Sequence, residues 1–384
     1  MSDKPETGML TTNPSKSSSP LAKALILIGL LYFFLVAIDL MGGSFKLLAK
    51  SHAEGLFAGI SNPFAALSIG ILATVLVQSS SATTSMVVAA VGAGSFSIDI
   101  AVFTIMGCNI GTTVTNTLVS LGHVRQDTEF RRAFAGSTMH DFFNLMAVMI
   151  FLPLEMATHV LQDSATYISG MIYGEIEGGK ISNPLKSAYK AVSGPIQNFI
   201  ANDLSLSSNA AGIVLLILAL SFVFFCLIMI TRTMKSLMLA RMERTMNSVL
   251  EKSGLLAIFI GAVLTVAVQS SSVTTSLMIP LFAAGILKLE NGFPVTLGAN
   301  IGTTVTAFLA ALASDQNGLT IAIVHLLFNV GATAAIYPIP QIRHIPIKLA
   351  IKLADLTIKN KIYAVLYVVV VFVLIPLGAN LILN

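Results

Sequence analysis

A short run rich in hydroxyls occurs twice in this chain, each time within a stretch apolar enough to lie in lipid. Gln78-Ser79-Ser80-Ser81-Ala82-Thr83-Thr84-Ser85 returns as Gln269-Ser270-Ser271-Ser272-Val273-Thr274-Thr275-Ser276, identical at seven of eight positions. Gly107-Cys108-Asn109-Ile110-Gly111-Thr112-Thr113-Val114-Thr115 returns as Gly298-Ala299-Asn300-Ile301-Gly302-Thr303-Thr304-Val305-Thr306, identical at eight of nine. Both pairs are offset by 191 residues (269 − 78 and 298 − 107). A third pair, His140-Asp141-Phe142-Phe143-Asn144 and His325-Leu326-Leu327-Phe328-Asn329, follows at an offset of 185. Polar motifs in the same order at the same spacing mark a duplication, so the chain must fold as two related halves.

The solvent for those halves follows from composition. The chain is 55% apolar and 10% charged, whereas a soluble domain is about one quarter charged. A water-exposed surface is not available to it. This excludes a cytosolic enzyme, a nucleic-acid reader and a disordered scaffold, and it leaves an all-α polytopic membrane protein. A crossing needs roughly 20 mostly apolar residues, and candidates lie at 21–41, 56–92, 98–121, 133–160, 209–231, 254–288, 294–313, 319–340 and 362–382. The stretches 56–92 and 254–288 are too long for one crossing and carry the polar runs at their centres, so each reads as a re-entrant hairpin. Residues 1–20, rich in Ser, Thr and Pro, read as a disordered tail. Residues 24–38 mimic a signal peptide, but no convincing cleavage site follows, so the first helix reads as retained. Cys108 and Cys226 lie in apolar segments and form no metal-ligand spacing.

Loop charges orient the chain. Arg125, Arg131 and Arg132 follow the second motif of the first half. Arg232, Lys235, Arg241, Arg244 and Lys252 fill the linker 232–252, and Arg343, Lys348, Lys352, Lys359 and Lys361 fill 341–361. All three stretches should be cytoplasmic, which puts the N-terminus inside and the C-terminus outside. The loop near 314–318, equivalent to the first arginine-rich loop, has no Lys or Arg. Equivalent loops on opposite faces predict inverted-topology repeats whose broken helices meet near the membrane midplane, a plan common among secondary transporters. The expected organisation is a tail (1–20), a first inverted repeat (21–160), an outer loop (161–208), a second repeat (209–340), a basic cytoplasmic segment (341–361) and a final transmembrane helix (362–384). The loop 161–207 has no N-glycosylation sequon.

A lone Ser or Thr in a membrane helix usually returns a hydrogen bond to the preceding turn. Two dense polar runs at membrane depth need more partners than that, and a ligand is one way to satisfy them. Hydroxyls and backbone N–H groups opening a half-helix suit an oxyanion. Neither run contains Lys or Arg, so dipoles would hold the anion. Gln oxygens, Thr hydroxyls and carbonyls freed around Gly111 and Gly302 suit Na+. Asp39, Asp99, Asp141 and Glu155 are ionisable groups in or near the apolar segments; Asp99 and Glu155 are equally compatible with facing the headgroups. His140 and His325, with their paired Asn, read as helix-to-helix hydrogen bonds in preference to proton relays. The 16 Met and 22 Phe are core and lipid-facing filler.

These motifs, with Glu129-Phe130-Arg131-Arg132-Ala133-Phe134-Ala135-Gly136 leading into His140-Asp141-Phe142-Phe143-Asn144, resemble the type II sodium-dependent phosphate cotransporters, and in particular their bacterial members. The similarity runs from about residue 25 to 375. It implies uptake of inorganic phosphate, preferably divalent, driven by several Na+, with no cofactor beyond the transported ion. Carried over motif by motif, Gln78, Ser79, Ser80 and Ser81 with Gln269, Ser270, Ser271 and Ser272 line the phosphate site. Gln269, Ser270, Thr303 and Thr306 form a sodium site, with Ser271 and Asn300 beside it. Repeat symmetry adds Asn109, Thr112 and Thr115 as weaker candidates, and Asp39 matches an acidic position with no assigned role. The chain departs from the animal members in its shorter outer loop and in ending soon after 362–382, so scaffold partners that bind a tail are not carried over. The implied location is the plasma (bacterial inner) membrane, the implied partners are phosphate, sodium and lipid, and monomer and homodimer both stay open.

Three other readings stand beside this one. A sulfate or carboxylate carrier, or one coupled to protons, has the same plan. A passive channel does not need ion coupling. An intramembrane hydrolase using a Ser with His140 or His325 lacks a Gly-x-Ser-x-Gly elbow and does not account for the symmetric duplication.

Overall fold

A computed structural model of the chain describes residues 20–51, 62–178, 184–249 and 253–383. The described residues are predominantly helical, with no strand. In chain order the helices are α1 (Pro20–Ser51), α2 (Pro63–Val77), α3 (Ser80–Gly92), α4 (Ile98–Thr112), α5 (Val114–Ser120), α6 (Asp127–Thr158), α7 (Val160–Gly178), α8 (Pro184–Asn198) and α9 (Ser208–Val249). There follow α10 (Gly254–Val268), α11 (Ser271–Ser276), α12 (Ile279–Ala283), α13 (Leu289–Ala311), α14 (Gln316–Ile336), α15 (Pro340–Lys359), α16 (Ile362–Val369) and α17 (Ile375–Leu383).

Among the described residues, seven helical stretches are long and apolar enough to cross a membrane, from Leu21–Leu48 to Ile362–Leu383. They coincide with the seven single-crossing segments expected from hydropathy. The two overlong segments are instead pairs of shorter apolar helices, Pro63–Val77 with Ser80–Gly92 and Gly254–Val268 with Ser271–Ala283. Each break has the same local cause. Gln78 (φ 54°) and Gln269 (φ 57°) end the first helix in the left-handed region, and the next serine is extended and caps the second. Ser79 accepts from the amide of Ala82, and Ser270 from that of Val273.

Glycines set the distance at which each broken pair meets its neighbour. α2 lies against α4 and α10 against α13. A Cβ at Gly70 would overlap the Thr104 carbonyl oxygen, and one at Gly107 the Leu67 oxygen. The second half repeats this with Gly261 against the Val295 oxygen and Gly298 against the Ile258 oxygen. Both glycine pairs are again 191 residues apart (261 − 70 and 298 − 107). Small residues let membrane helices bring backbone against backbone.

The halves interlock. α3 packs on α13 and α14, α11 on α5, and α12 on α6. Phe143 of α6 meets Phe293 of α13 edge to face, and Phe151 meets Phe328 of α14 the same way. Gly136 makes room on α6 for the Phe282 ring.

One expectation needs correction, and two basic stretches acquire a structure. The segment 161–208, expected as a loop, is mostly helical: α7, α8 and a π turn at Phe199–Asp203. Its polarity is one-sided, so α8 buries Tyr189 and Ser193 and packs on α1. The basic linker continues α9 as helix to Val249, since the segment contains no Pro and no Gly to end it. The basic segment 341–361 is likewise almost wholly helix α15. The expected tail, apart from Pro20, lies outside the described residues.

Candidate functional site

The left-handed turns bring both serine runs to one place. Gln78, Ser79, Ser80 and Ser81 line a cavity of about 50 Å³ together with Ser270, Ser271 and Ser272. No charged side chain lines it. Ser80 and Ser81 are buried, and so is Ser271. Gln269, expected on the same wall, does not line it, so the wall is serine hydroxyls, the Gln78 amide and helix ends, neutral groups that present donors and acceptors together.

Each glutamine is held in the same way. Its Nε2 donates to a carbonyl three residues back, Gln78 to Val75 at 2.6 Å and Gln269 to Val266 at 2.5 Å. Its Oε1 is then free to face the second motif. Thr115 donates to Gln78 Oε1 at 3.3 Å, and Thr306 to Gln269 Oε1 at 3.3 Å. The two halves thus carry matching Gln–Thr pairs. Thr112 and Thr303 donate to the carbonyls of Cys108 and Ala299, one turn back. That leaves their oxygen lone pairs as acceptors.

The symmetry breaks where the halves touch. Ser81 of the first run donates to Thr306 of the second half at 3.4 Å. Asn116 crosses the other way, donating to Thr275 at 2.7 Å and accepting from Ser276 at 2.9 Å. Its counterpart 191 residues on is Ala307. Asn116 lies outside both motifs, and Thr275 and Ser276 carry no expected role beyond membership of the second run. The signal was present in Asn116 following the second motif directly.

Behind the cavity lies a second buried network. Asn300 Nδ2 donates to Asn144 Oδ1 at 3.0 Å and to Asn329 Oδ1 at 2.9 Å. Asn144 donates to the Asn109 carbonyl at 2.8 Å, and Asn329 to the Asn300 carbonyl at 3.2 Å. The paired asparagines are thus helix-to-helix bonds, as expected. The paired histidines are buried beside them: His140 faces the Asn300 side chain without a well-aligned hydrogen bond, and among the described residues Nδ1 of His325 has no hydrogen-bond partner. Asn109, offered by symmetry as a weaker sodium ligand, spends its amide N–H on the Ile105 carbonyl.

The freed carbonyls expected at Gly302 are absent, because α13 runs unbroken through it. In the first half α4 does end at Thr112, next to Gly111; both glycines also serve close packing, a Cβ lying 2.8 Å from the Ile71 oxygen at Gly111 and 2.6 Å from the Ala262 oxygen at Gly302. Glu155 does not face headgroups. It is buried and accepts from the amides of Leu161 and Gln162, which caps α7. Asp99 accepts from Gln162 Nε2 at 2.6 Å. Asp39 accepts from Ser193 at 2.6 Å and from Gln197 at 3.2 Å, both on α8. Asp141 accepts from Tyr367 at 2.8 Å and Thr117 at 3.4 Å.

An all-helical integral membrane protein with a neutral polar cavity between two broken helices is the class these features define. A family model described as Na+/Pi-cotransporter matches residues 33–174 and 222–359. Human sodium-dependent phosphate transport protein 2B is 34% identical over 93% of this chain and 64% of its own length. Rat sodium-dependent phosphate transport protein 2A is 35% identical over 96% of this chain and 68% of its own length. The chain belongs to the Na+/Pi-cotransporter family. It spans slightly under two thirds of the length of the human relative. No solved structure matches it.

Proposed function

We propose that this chain is a secondary active symporter that imports inorganic phosphate, chiefly as the divalent anion, driven by the sodium gradient. The observation that carries the reading is the convergence of two serine runs, 191 residues apart, on one cavity of about 50 Å³. The names of the human and rat relatives support the same cargo and the same coupling ion.

Phosphate sits between Gln78, Ser79, Ser80 and Ser81 and their counterparts Gln269, Ser270, Ser271 and Ser272. Hydroxyls and the opening amides of α3 donate to its oxygens. Sodium is held by Gln269, Ser270 and Ser271 with Thr303 and Thr306, and Asn300 steadies the same face of α13 through the asparagine network. The first half offers Gln78 with Thr115 and Thr112 in the corresponding place. A cation beside the anion offsets the cost of taking charge out of water, so each raises the affinity for the other.

The two halves act as inverted repeats that open the cavity alternately to each side. The N-terminus lies in the cytoplasm and the C-terminus outside, in the plasma membrane. When sodium charge exceeds phosphate charge, each net positive charge moved inward gains about 2.3 kcal/mol per 100 mV.

The test is radiolabelled phosphate uptake into liposomes holding the purified protein, under an inward Na+ gradient or an equal K+ gradient. Concentrative uptake with Na+ alone, lost when the gradient is dissipated, is the expected result. Equal uptake under both gradients, levelling at the outside concentration, would reject the symporter. Competition by sulfate or carboxylates at matched concentration would replace the cargo.

A further inference from the structure

Helix α15 lies across one end of the helix bundle. Near its start, Arg343 and Ile347 line a cavity of about 270 Å³ with Ser253, Gly254, Glu290 and Tyr337. Those four residues stand at the start of α10, the start of α13 and the end of α14. Near its far end Asp355 pairs with Arg131, and just past it Lys361 pairs with Asp127, both in the first turns of α6. Lys361 also sits 4.6 Å above the Phe130 ring. A helix of 20 residues is about 30 Å long. Fastened to the ends of spanning helices along that length, α15 runs along a membrane face and does not cross it.

Its sides are sharply divided. Pro346, Ile347, Ala350, Ala354 and Thr357 are buried, and the helix packs on α6. On the opposite side Lys348, Lys352 and Lys359 are exposed and fall within an arc of about 40°. The adjoining arc, also about 40°, holds Ile345, Leu349 and Leu356, which are 40%, 37% and 48% exposed. A lysine edge beside an apolar edge on the free side of a helix lying along a membrane face is the arrangement of an interfacial anchor.

We propose that the exposed edge of α15 is a binding surface for anionic phospholipid. Ile345, Leu349 and Leu356 enter the acyl boundary, and Lys348, Lys352 and Lys359 engage the headgroup phosphates. The carboxylate on this side, Asp355, pairs with Arg131 and also feels Lys359, so with its charge met by Arg131 the lysine edge keeps a net positive charge. Lysines at a membrane surface draw anionic lipid through charge. The surface is distinct from the serine-lined cavity and does not depend on what that cavity carries.

Electron spin resonance on the full chain in phosphatidylcholine vesicles tests this, using spin-labelled phosphatidylglycerol and spin-labelled phosphatidylcholine as probes. The wild-type protein should immobilise the anionic lipid about fivefold more readily. The triple variant K348Q/K352Q/K359Q should lose that preference, and K348R/K352R/K359R should keep it. No preference in the wild-type protein, or full preference in the glutamine variant, would overturn the proposal. A second readout needs no variant: raised salt should weaken the preference, and its persistence at high salt would count against a charge-based surface. Displacement of the labelled lipid by added inorganic phosphate would assign the lysines to the free anion instead.

Discussion

The hydroxyl of Ser81 lies 3.4 Å from that of Thr306, and Thr306 in turn donates to Gln269. One threonine therefore joins the first serine run to the second glutamine, so the two duplicated motifs meet in space as well as in pattern. Ser81 belongs to the proposed anion wall and Thr306 to the proposed cation site, so their contact links the two across the halves.

Thr306→Val keeps the volume and removes the hydroxyl. Both of its hydrogen bonds, to Gln269 and from Ser81, are long, and losing the two at about 0.5 kcal/mol each should make half-maximal phosphate uptake need about fivefold more sodium. Ser81→Ala should have a similar but smaller effect, and the double variant should cost less than the sum. Strict additivity in sodium titrations would show that the two hydroxyls do not communicate.

Ser80→Ala and Ser271→Ala each remove a buried hydroxyl from the cavity wall. Both should abolish phosphate uptake in liposomes while leaving the amount of inserted protein unchanged. Normal uptake by both would remove the serine runs from the phosphate site.

Gly298→Ala tests the backbone contact between α13 and α10. Its Cβ would overlap the Ile258 carbonyl, and no rotamer relieves a clash with backbone. A destabilisation on the order of 3 kcal/mol is expected, read as a lower melting temperature in detergent. Gly378→Ala is the control, since nothing lies within 4 Å of its added Cβ, and it should leave melting unchanged or slightly raised.

Asn144→Leu removes an acceptor for Asn300 and the donor to the Asn109 carbonyl. Leaving buried partners unpaired costs about 1–3 kcal/mol, and Asn329→Leu should behave alike because it occupies the matching place. Thermal unfolding of both singles and the double variant would reveal the shared network as a less-than-additive loss.

The hydrogen bond from Arg131 holds the Asp355 carboxyl below the usual carboxylate range, against a smaller opposing effect of burial. A carboxylate lowered by folding stabilises the docked state above its ordinary value of about 3.9. That stabilisation fades as pH falls through the lowered value. The distance between spin labels on α15 and α6 should thus stay constant from neutral pH down to about pH 4 and spread only below it. Asp355→Asn should spread it at neutral pH.

Hydropathy alone marked the seven long crossings, because lipid leaves a chain few ways to bury its backbone. The two broken segments were legible for a further reason: a polar run at the centre of an overlong apolar stretch has nowhere to go except a turn. What stayed hidden depended on partners distant in sequence. Asn116 looks like an ordinary polar residue until α5 meets α11. The segment 161–208 read as loop because its polarity averages out, whereas α8 concentrates its buried side on α1. Gly302 looked like a helix breaker, but in lipid a glycine as often permits contact as it ends a helix. The site residues fared unevenly for the same reason. Contiguous serines were bound to share a location, while the neighbour each threonine takes depends on how two helices cross.

The glycine contacts of α2 with α4 and of α10 with α13 carry a mechanical consequence. Where carbonyl oxygen abuts α-carbon there is no side chain to rotate out of the way, so each pair behaves as a stiff girder. Compliance then has to reside elsewhere, in the seam of hydroxyls and amides typified by Ser81–Thr306 and Asn116–Thr275. Such bonds are directional but exchangeable, and a water molecule can take either partner's place at small net cost. Two girders joined by a seam of that kind can each keep their internal geometry while the bonds between them are remade one at a time.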